Sequence, residues 1–158
     1  MGKESNIFGK CREDAGLSRD KAGELLEWIS PDRIDRIERG TIPHSDEVLR
    51  MAQCYQRPEL CNYYCTHFCR IGQEFVPEVR EKDLANIVLE LLSTMNTLDK
   101  EKNRLIEITA DGVITEDEYH DFAMIQKQLE IISMSVDSLK LWIQKTIAAG
   151  KLQPDALK

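Results

Sequence analysis

The stretch SPDRIDRIERG (residues 30–40) carries the local signals of a short helix with defined ends. Ser30 is a residue type that caps helix N-termini, and Pro31 suits the first helical position because its fixed φ is already helical. Gly40 follows the last turn, where many helices end in a left-handed residue. The stretch therefore predicts a helix that buries two isoleucines three residues apart, Ile34 and Ile37.

Similar signals divide the first 70 residues into five short helices. Gly16 ends the first helix, Ser18 and Ser45 are candidate caps of the second and fourth, and Pro58 begins the fifth. Low glycine and proline content and the lack of alternating strand patterns favour an all-α fold. The periodicity predicts these inward-facing residues: Ala22, Leu25, Leu26, Val48, Leu49 and Ala52.

Residues 5–57 resemble the Xre/Cro family of phage-repressor-like helix-turn-helix domains. The motifs that carry the resemblance are KCREDAGLS (residues 10–18), Gly23 inside the second helix, and ISPDRIDRIERG (residues 29–40). The resemblance implies a five-helix repressor-like domain in which Gly23 permits the second and third helices to cross. It also implies a partly buried ion pair between Arg12 and Glu38. LLEWIS (residues 25–30) is one residue longer than the usual turn.

If this family's docking applies, the third helix lies in the major groove of double-stranded DNA. The contact positions would then be Arg19, Ser30, Pro31, Asp32, Arg33 and Arg36. Repressors of this type bind two-fold operators as dimers, because one domain contacts too few base pairs. The resemblance thus implies a sequence-specific, homodimeric transcriptional regulator.

The charges leave a second interpretation open. The net charge is −7, although residues 1–70 are nearly neutral, with 11 basic and 12 acidic side chains. Asp32 and Asp35 lie where a DNA backbone would repel them, yet they also favour the positive end of a helix dipole. The alternative is a protein–protein interaction module on a helix-turn-helix scaffold that has lost DNA binding.

Residues 71–150 predict a long antiparallel helical hairpin that serves dimerisation, followed by a tail at 151–158. The predicted seam recurs at steps of three and four residues: Leu84, Val88, Leu91, Met95, Leu98, Leu105, then Phe122, Ile125, Leu129, Ile132, Val136, Leu139 and Ile143. Further apolar residues lie off the seam, so a second copy of the chain is expected to cover them. This region resembles the tail of clostridial Xre-type regulators.

Four of the five cysteines fall within 16 residues. Cys61, Cys65 and Cys69 would align on one face of a continuous helix, where thiolates could bind zinc or an iron–sulfur cluster. The spacing is not a familiar ligand pattern. Packing of cysteine as a small apolar side chain and a reversible thiol switch are the alternatives.

Enzymatic activity and membrane insertion are not expected. The sequence has no phosphate-binding glycine loop, metalloprotease motif or nucleophile elbow. No apolar run approaches the roughly 20 residues of a membrane span, and the polar N-terminus is no secretory signal. A cytoplasmic protein is therefore expected.

Overall fold

A computed structural model describes residues 6–154, and all regular structure within that range is helical. The all-α prediction is therefore confirmed. Four residues of the predicted tail, 155–158, lie outside the described range. The helices are α1 (Ile7–Asp14), α2 (Arg19–Leu26), α3 (Pro31–Glu38), α4 (Ser45–Cys54), α5 (Glu59–His67), α6 (Arg70–Phe75), α7 (Leu84–Thr109) and α8 (Tyr119–Ala148).

Contacts divide the chain into two compact units. The first comprises the described residues up to Glu78 and those from Ile143 onward, and the second is Val79–Trp142. The boundary thus lies beyond the predicted one at residue 70, and the last turns of α8 belong to the first unit. No helix within residues 6–154 combines the length and apolar character needed to cross a bilayer.

Packing around α5 explains why the first unit is larger than expected. A Cβ at Gly72 would overlap the backbone carbonyl of Cys65, so α6 lies directly on α5. At the other end of this helix, Lys145 Nζ of α8 donates to Glu59 Oε1 at 3.1 Å. The Lys145 and Glu59 side chains are both largely buried. Close packing on one side and an ion pair on the other therefore join α6 and the end of α8 to the N-terminal helices.

The core of the first unit is formed by side chains from α1 to α5. Leu25 and Leu49, predicted to face inward, are exposed, and those two predictions are wrong. The inward face of α4 contains Met51 instead, because its buried residues recur from Val48. The buried apolar residues are Phe8, Cys11, Ala22, Leu26, Ile29, Ile34, Ile37, Val48, Met51, Ala52, Tyr55 and Leu60.

Side chains cap the helices mostly as predicted. Ser18 Oγ accepts from the Lys21 amide at 3.1 Å at the start of α2. The predicted cap of α4 was wrong, since Ser45 is its first helical residue. There Glu47 supplies the capping bond instead, accepting from the His44 amide at 2.7 Å.

The second unit is a helical hairpin. α7 ends in a turn that contains Gly112 at φ +75°. Before α8, the Thr115 amide donates to Glu118 Oε2 at 3.0 Å, which fixes the start of the returning helix. Arg104 of α7 and Asp121 of α8 form an ion pair at 2.7 Å across this end.

The hairpin seam differs from the predicted one. In α7 the buried residues, Ile87, Thr94 and Ile108, follow a seven-residue spacing, whereas Leu84, Val88 and Met95 are exposed. In α8 the predicted seam residue Ile125 is buried as expected, whereas Leu129 and Val136 are exposed. The other buried residues of α8, Ser135, Ser138 and Leu141, were not predicted. The inner face is therefore rotated by about one residue from the apolar stripe, and it contains more polar groups than predicted.

Candidate nucleic-acid interface

The turn between α2 and α3 absorbs the additional residue through a γ-turn. Glu27 lies at φ 63° and ψ −62°, and the Trp28 amide donates to the Leu26 carbonyl at 2.8 Å. Trp28 is thereby turned into solvent with 59% of its surface exposed, while Ile29 is buried. The longer turn is therefore accommodated locally, and Ile29 still anchors the start of α3 in the core.

Close contact between α2 and α3 depends on Gly23. A Cβ at this position would lie 2.9 Å from both Cδ and Cγ of Pro31. The proline ring is rigid, so it cannot move aside as the end of a long side chain could. The predicted role of Gly23 at the helix crossing is confirmed.

A buried ion pair joins α1 to α3. Arg12 Nε donates to Glu38 Oε1 at 2.6 Å, and Arg12 Nη2 donates to Glu38 Oε2 at 3.1 Å. This bonding raises the pKa of Arg12 above its usual value. The same guanidinium donates to the Leu17 carbonyl at 2.6 Å. The ion pair that the resemblance implies is present, and it fixes α3 against the first helix.

Arg19, one of the predicted DNA contacts, belongs to the same network. Its Nη2 lies 2.7 Å from Glu38 Oε2 and its Nη1 lies 3.5 Å from Asp35 Oδ1. Asp35 also pairs with Arg39 at 2.9 Å. Both inner carboxylates of α3 are thus compensated by arginines. The structure therefore reduces the electrostatic objection to DNA binding that Asp35 raised.

The Arg33 side chain bonds to α4. Its Nε and Nη2 both donate to the Glu47 carboxylate at 2.7 Å. These hydrogen bonds hold the pKa of Glu47 below its ordinary value, helped by the bond from the His44 amide. Arg33 in this geometry positions α3 on α4, and its Nε and Nη2 donors are used within the domain.

The outer face of α3 has a different composition. Asp32, Arg36 and Arg39 are four and three residues apart, so they lie on one face, and all three are exposed. Arg36 Nε donates to the Asp32 carbonyl of its own helix at 3.3 Å. Within the described residues, neither Arg36 nor Asp32 takes part in an ion pair. We name Asp32, Arg36 and Arg39 the outer face of α3.

The remaining predicted contact residues shape the start of α3. Ser30 Oγ accepts from the Arg33 amide at 3.2 Å, and Pro31 packs at Gly23. Sequence reasoning missed Arg39, which follows the last helical residue. Its spacing from Arg36 could have identified it, because residues three apart share a helix face.

The cysteine row is interrupted. α5 ends at His67, so the prediction of a continuous helix through Cys69 is wrong. Cys69 instead caps α6, where its Sγ accepts from the Gly72 amide at 3.4 Å. Cys61 and Cys65 remain one turn apart in α5. Among residues 6–154, no group of three or more His, Cys, Asp or Glu side chains is placed to hold a metal ion.

Comparison with known proteins identifies the N-terminal region. Residues 8–60 match the family model of a helix-turn-helix domain, a span that runs from α1 into α5. No curated protein and no solved structure matches the chain. The chain therefore carries an N-terminal helix-turn-helix domain, and α2 and α3 both lie within the matched span.

Proposed function

We propose that the protein is a sequence-specific DNA-binding transcriptional regulator of the Xre/Cro type that acts as a homodimer. The observation that carries this proposal is the outer face of α3 within the matched helix-turn-helix domain. Helix-turn-helix domains place this helix in the major groove. Two arginines are exposed there, while the carboxylates of Asp35 and Glu38 are already paired with arginines.

Arg36 is the residue best placed to recognise a base. Its guanidinium is exposed and can donate two hydrogen bonds to O6 and N7 of a guanine. Arg39 lies one turn further along and would approach a phosphate once its pairing with Asp35 is relaxed. Asp32 can accept from the amino group of a cytosine. The face thus supports recognition of G·C-containing sequence.

The hairpin would form the dimer interface. Its buried seam includes polar side chains, and Ser135 Oγ is buried without a hydrogen-bond partner among the described residues. The outward surfaces of the same helices are apolar to an extent unusual for a monomer. The exposed large apolar residues of the hairpin are Leu84, Val88, Leu89, Leu92, Met95, Ile106, Val113, Tyr119, Met124, Leu129, Met134 and Val136. We infer that a second copy of the chain covers this surface. The resulting dimer would carry two helix-turn-helix domains, one for each half-site of an operator.

The proposal is tested by selecting binding sequences from random duplexes and measuring affinity at two salt concentrations. Arg36→Ala should weaken binding to the selected sequence about ten- to a hundredfold and relax the base preference at one position. Arg70→Ala on α6 is the matched control with the same change of charge, and it should retain wild-type affinity. Equal losses in both variants would show that only overall charge matters.

The alternative function, a protein–protein interaction module, is kept open by Asp32. This exposed carboxylate lies beside Arg36 without an ion-pair partner among the described residues, and it would oppose a phosphate backbone. A helix-turn-helix scaffold that binds protein instead of DNA would have this feature. Absence of saturable DNA binding, even at low salt, would favour this alternative and remove the regulator proposal.

A further inference from the structure

A groove on the first unit is separate from the outer face of α3. It has a volume of about 420 Å³ and is bordered by α4, the start of α5 and the last turns of α8. Leu49 and Ala148 contribute apolar wall, and Cys61 is also one of the lining residues. A volume of this order lies within the range of small-ligand sites, roughly 300–1,000 Å³.

The lining indicates the chemistry of an occupant. None of the described side chains that border the groove is charged. Three carboxamides border it, those of Gln53, Gln56 and Gln144. None of these three amide groups makes a side-chain hydrogen bond to another described residue. An uncharged molecule with an apolar body and a hydrogen-bonding group therefore complements the lining.

Gln56 provides an independent observation. It lies at φ 56°, in the left-handed region, directly after the C-cap of α4. Three other helices, α1, α3 and α8, end in the same hydrogen-bond pattern. In each, the amide of the residue after the left-handed one donates to the carbonyl five residues earlier. Their left-handed positions are all glycine: Gly16, Gly40 and Gly150.

The presence of glutamine rather than glycine at position 56 requires an explanation. Glycine adopts the left-handed conformation without steric cost, whereas a side chain there costs about 1 kcal/mol. Strained residues of this kind are concentrated at binding sites. The glutamine side chain lies at the groove, where it can contact an occupant. The conformational cost and the position at the groove together indicate a ligand contact.

We propose that this groove binds a small uncharged ligand, with Gln56 supplying a directional hydrogen bond. The ligand would contact α4 near Leu49, two residues from the Glu47 carboxylate that holds Arg33 of α3. Binding could thereby act on the position of α3. The site itself does not require that the protein bind DNA, so the two proposals fail independently.

The site is tested with the neutral fluorescent probe N-phenyl-1-naphthylamine and the full chain. We expect saturable binding of one probe per chain, and slower iodoacetamide modification of Cys61 when the probe saturates. Ala148→Phe should fill the groove and abolish binding. Ala149→Phe is the matched control: its residue lies next along the chain but does not border this groove.

Three results would overturn the site. These are the absence of saturable binding, binding that survives Ala148→Phe, and equal loss of binding in Ala149→Phe. A stoichiometry below one probe per chain that rises on dilution would assign the groove to a second copy, and would also contradict the proposal. Circular dichroism melting of each variant establishes that it is folded at the temperature used.

Gln56→Gly separates a ligand contact from a structural role. Because glycine relieves the left-handed strain, we expect this variant to melt at a higher temperature than the wild type. Loss of one hydrogen bond should at the same time weaken probe binding about three- to tenfold. Higher stability with unchanged probe affinity would show that Gln56 does not serve the site.

Discussion

At the scale of single residues, arginines of similar sequence context have different roles. Arg33 and Arg36 are three residues apart on α3, and both were expected to contact DNA. Arg33 makes two hydrogen bonds of 2.7 Å to Glu47, whereas Arg36 bonds only to the backbone of its own helix among the described residues. The first stabilises the domain, and the second is available to a ligand.

The Arg33–Glu47 pair predicts a pH-dependent component of stability. The folded-state pKa of Glu47 is lowered, so its stabilisation is complete above the ordinary glutamate pKa, about 4.3. This stabilisation is lost as the pH falls through the lower folded-state pKa. Glu47→Gln should therefore lose about 1–3 kcal/mol near neutral pH and show a shallower decline on acidification.

Denaturant unfolding between about pH 7 and pH 2 measures this effect. Arg33→Met is the complementary variant, since it removes the partner that lowers the pKa of Glu47. The free energy of unfolding of this variant should also decline less steeply as the pH falls. Retention of the wild-type pH dependence in both variants would contradict the assignment.

Cys11 is predicted to be inert towards alkylation. Burial, with a smaller contribution from the charge of Glu59, raises the pKa of its thiol to about 11. The thiolate is the reacting species, so at pH 8 the folded protein should react with iodoacetamide at Cys11 roughly a hundredfold more slowly than the unfolded chain. Peptide mapping by mass spectrometry measures the rate. Rapid modification under native conditions would be inconsistent with this packing.

At the scale of elements, the α2–α3 crossing is the most constrained contact of the candidate interface. Gly23→Ala would place a methyl group 2.9 Å from the Pro31 ring. Overpacking of this kind costs about 1–3 kcal/mol, and we expect a lower melting temperature and a displaced α3. Gly16→Ala, at φ +70° with open space around the added Cβ, serves as a comparison in which only backbone strain acts.

Measurement of both stability and DNA affinity distinguishes the two glycine variants. Gly23→Ala should lower DNA affinity as well as stability, because α3 is the helix that we propose to lie in the major groove of DNA. Gly16→Ala should lower stability alone. An unchanged melting temperature for Gly23→Ala would show that the helices separate without cost.

At the scale of the whole molecule, the exposed apolar surface of the hairpin predicts a dimer. Leu92→Glu and Leu129→Glu each introduce a charge at an exposed position, so the helices themselves should remain folded. Burial of these charges in a dimer would be unfavourable, and we expect sedimentation equilibrium to show a monomer. Ile71→Glu, an exposed apolar position on α6, should remain dimeric. A monomeric wild type at all concentrations would contradict the proposal.

The distribution of charge also belongs to this scale. Most of the net negative charge of the chain lies beyond residue 70. The region that contains the matched domain is nearly neutral. Affinity for DNA would therefore depend on particular arginines more than on an overall attraction. This agrees with the expectation that one substitution, Arg36→Ala, has a large effect and that Arg70→Ala has little.

Much of the N-terminal fold could be predicted from the sequence by itself, because its signals are local. Helix caps such as Ser18 and Ser30, terminal glycines and the spacing of Ile34 and Ile37 act within one or two turns of the chain. The family resemblance added the Arg12–Glu38 pair, which crosses 26 residues and has no local signal.

Tertiary structure decided the features that depend on distant partners. Arg33 is occupied because Glu47 comes from another helix, and the inner face of the hairpin is rotated because packing selects among several apolar stripes. The continuous cysteine row is interrupted because α6 packs back on α5 through Gly72. Local conformation is determined by neighbouring residues, whereas the availability of a side chain for binding is determined by what the fold brings against it.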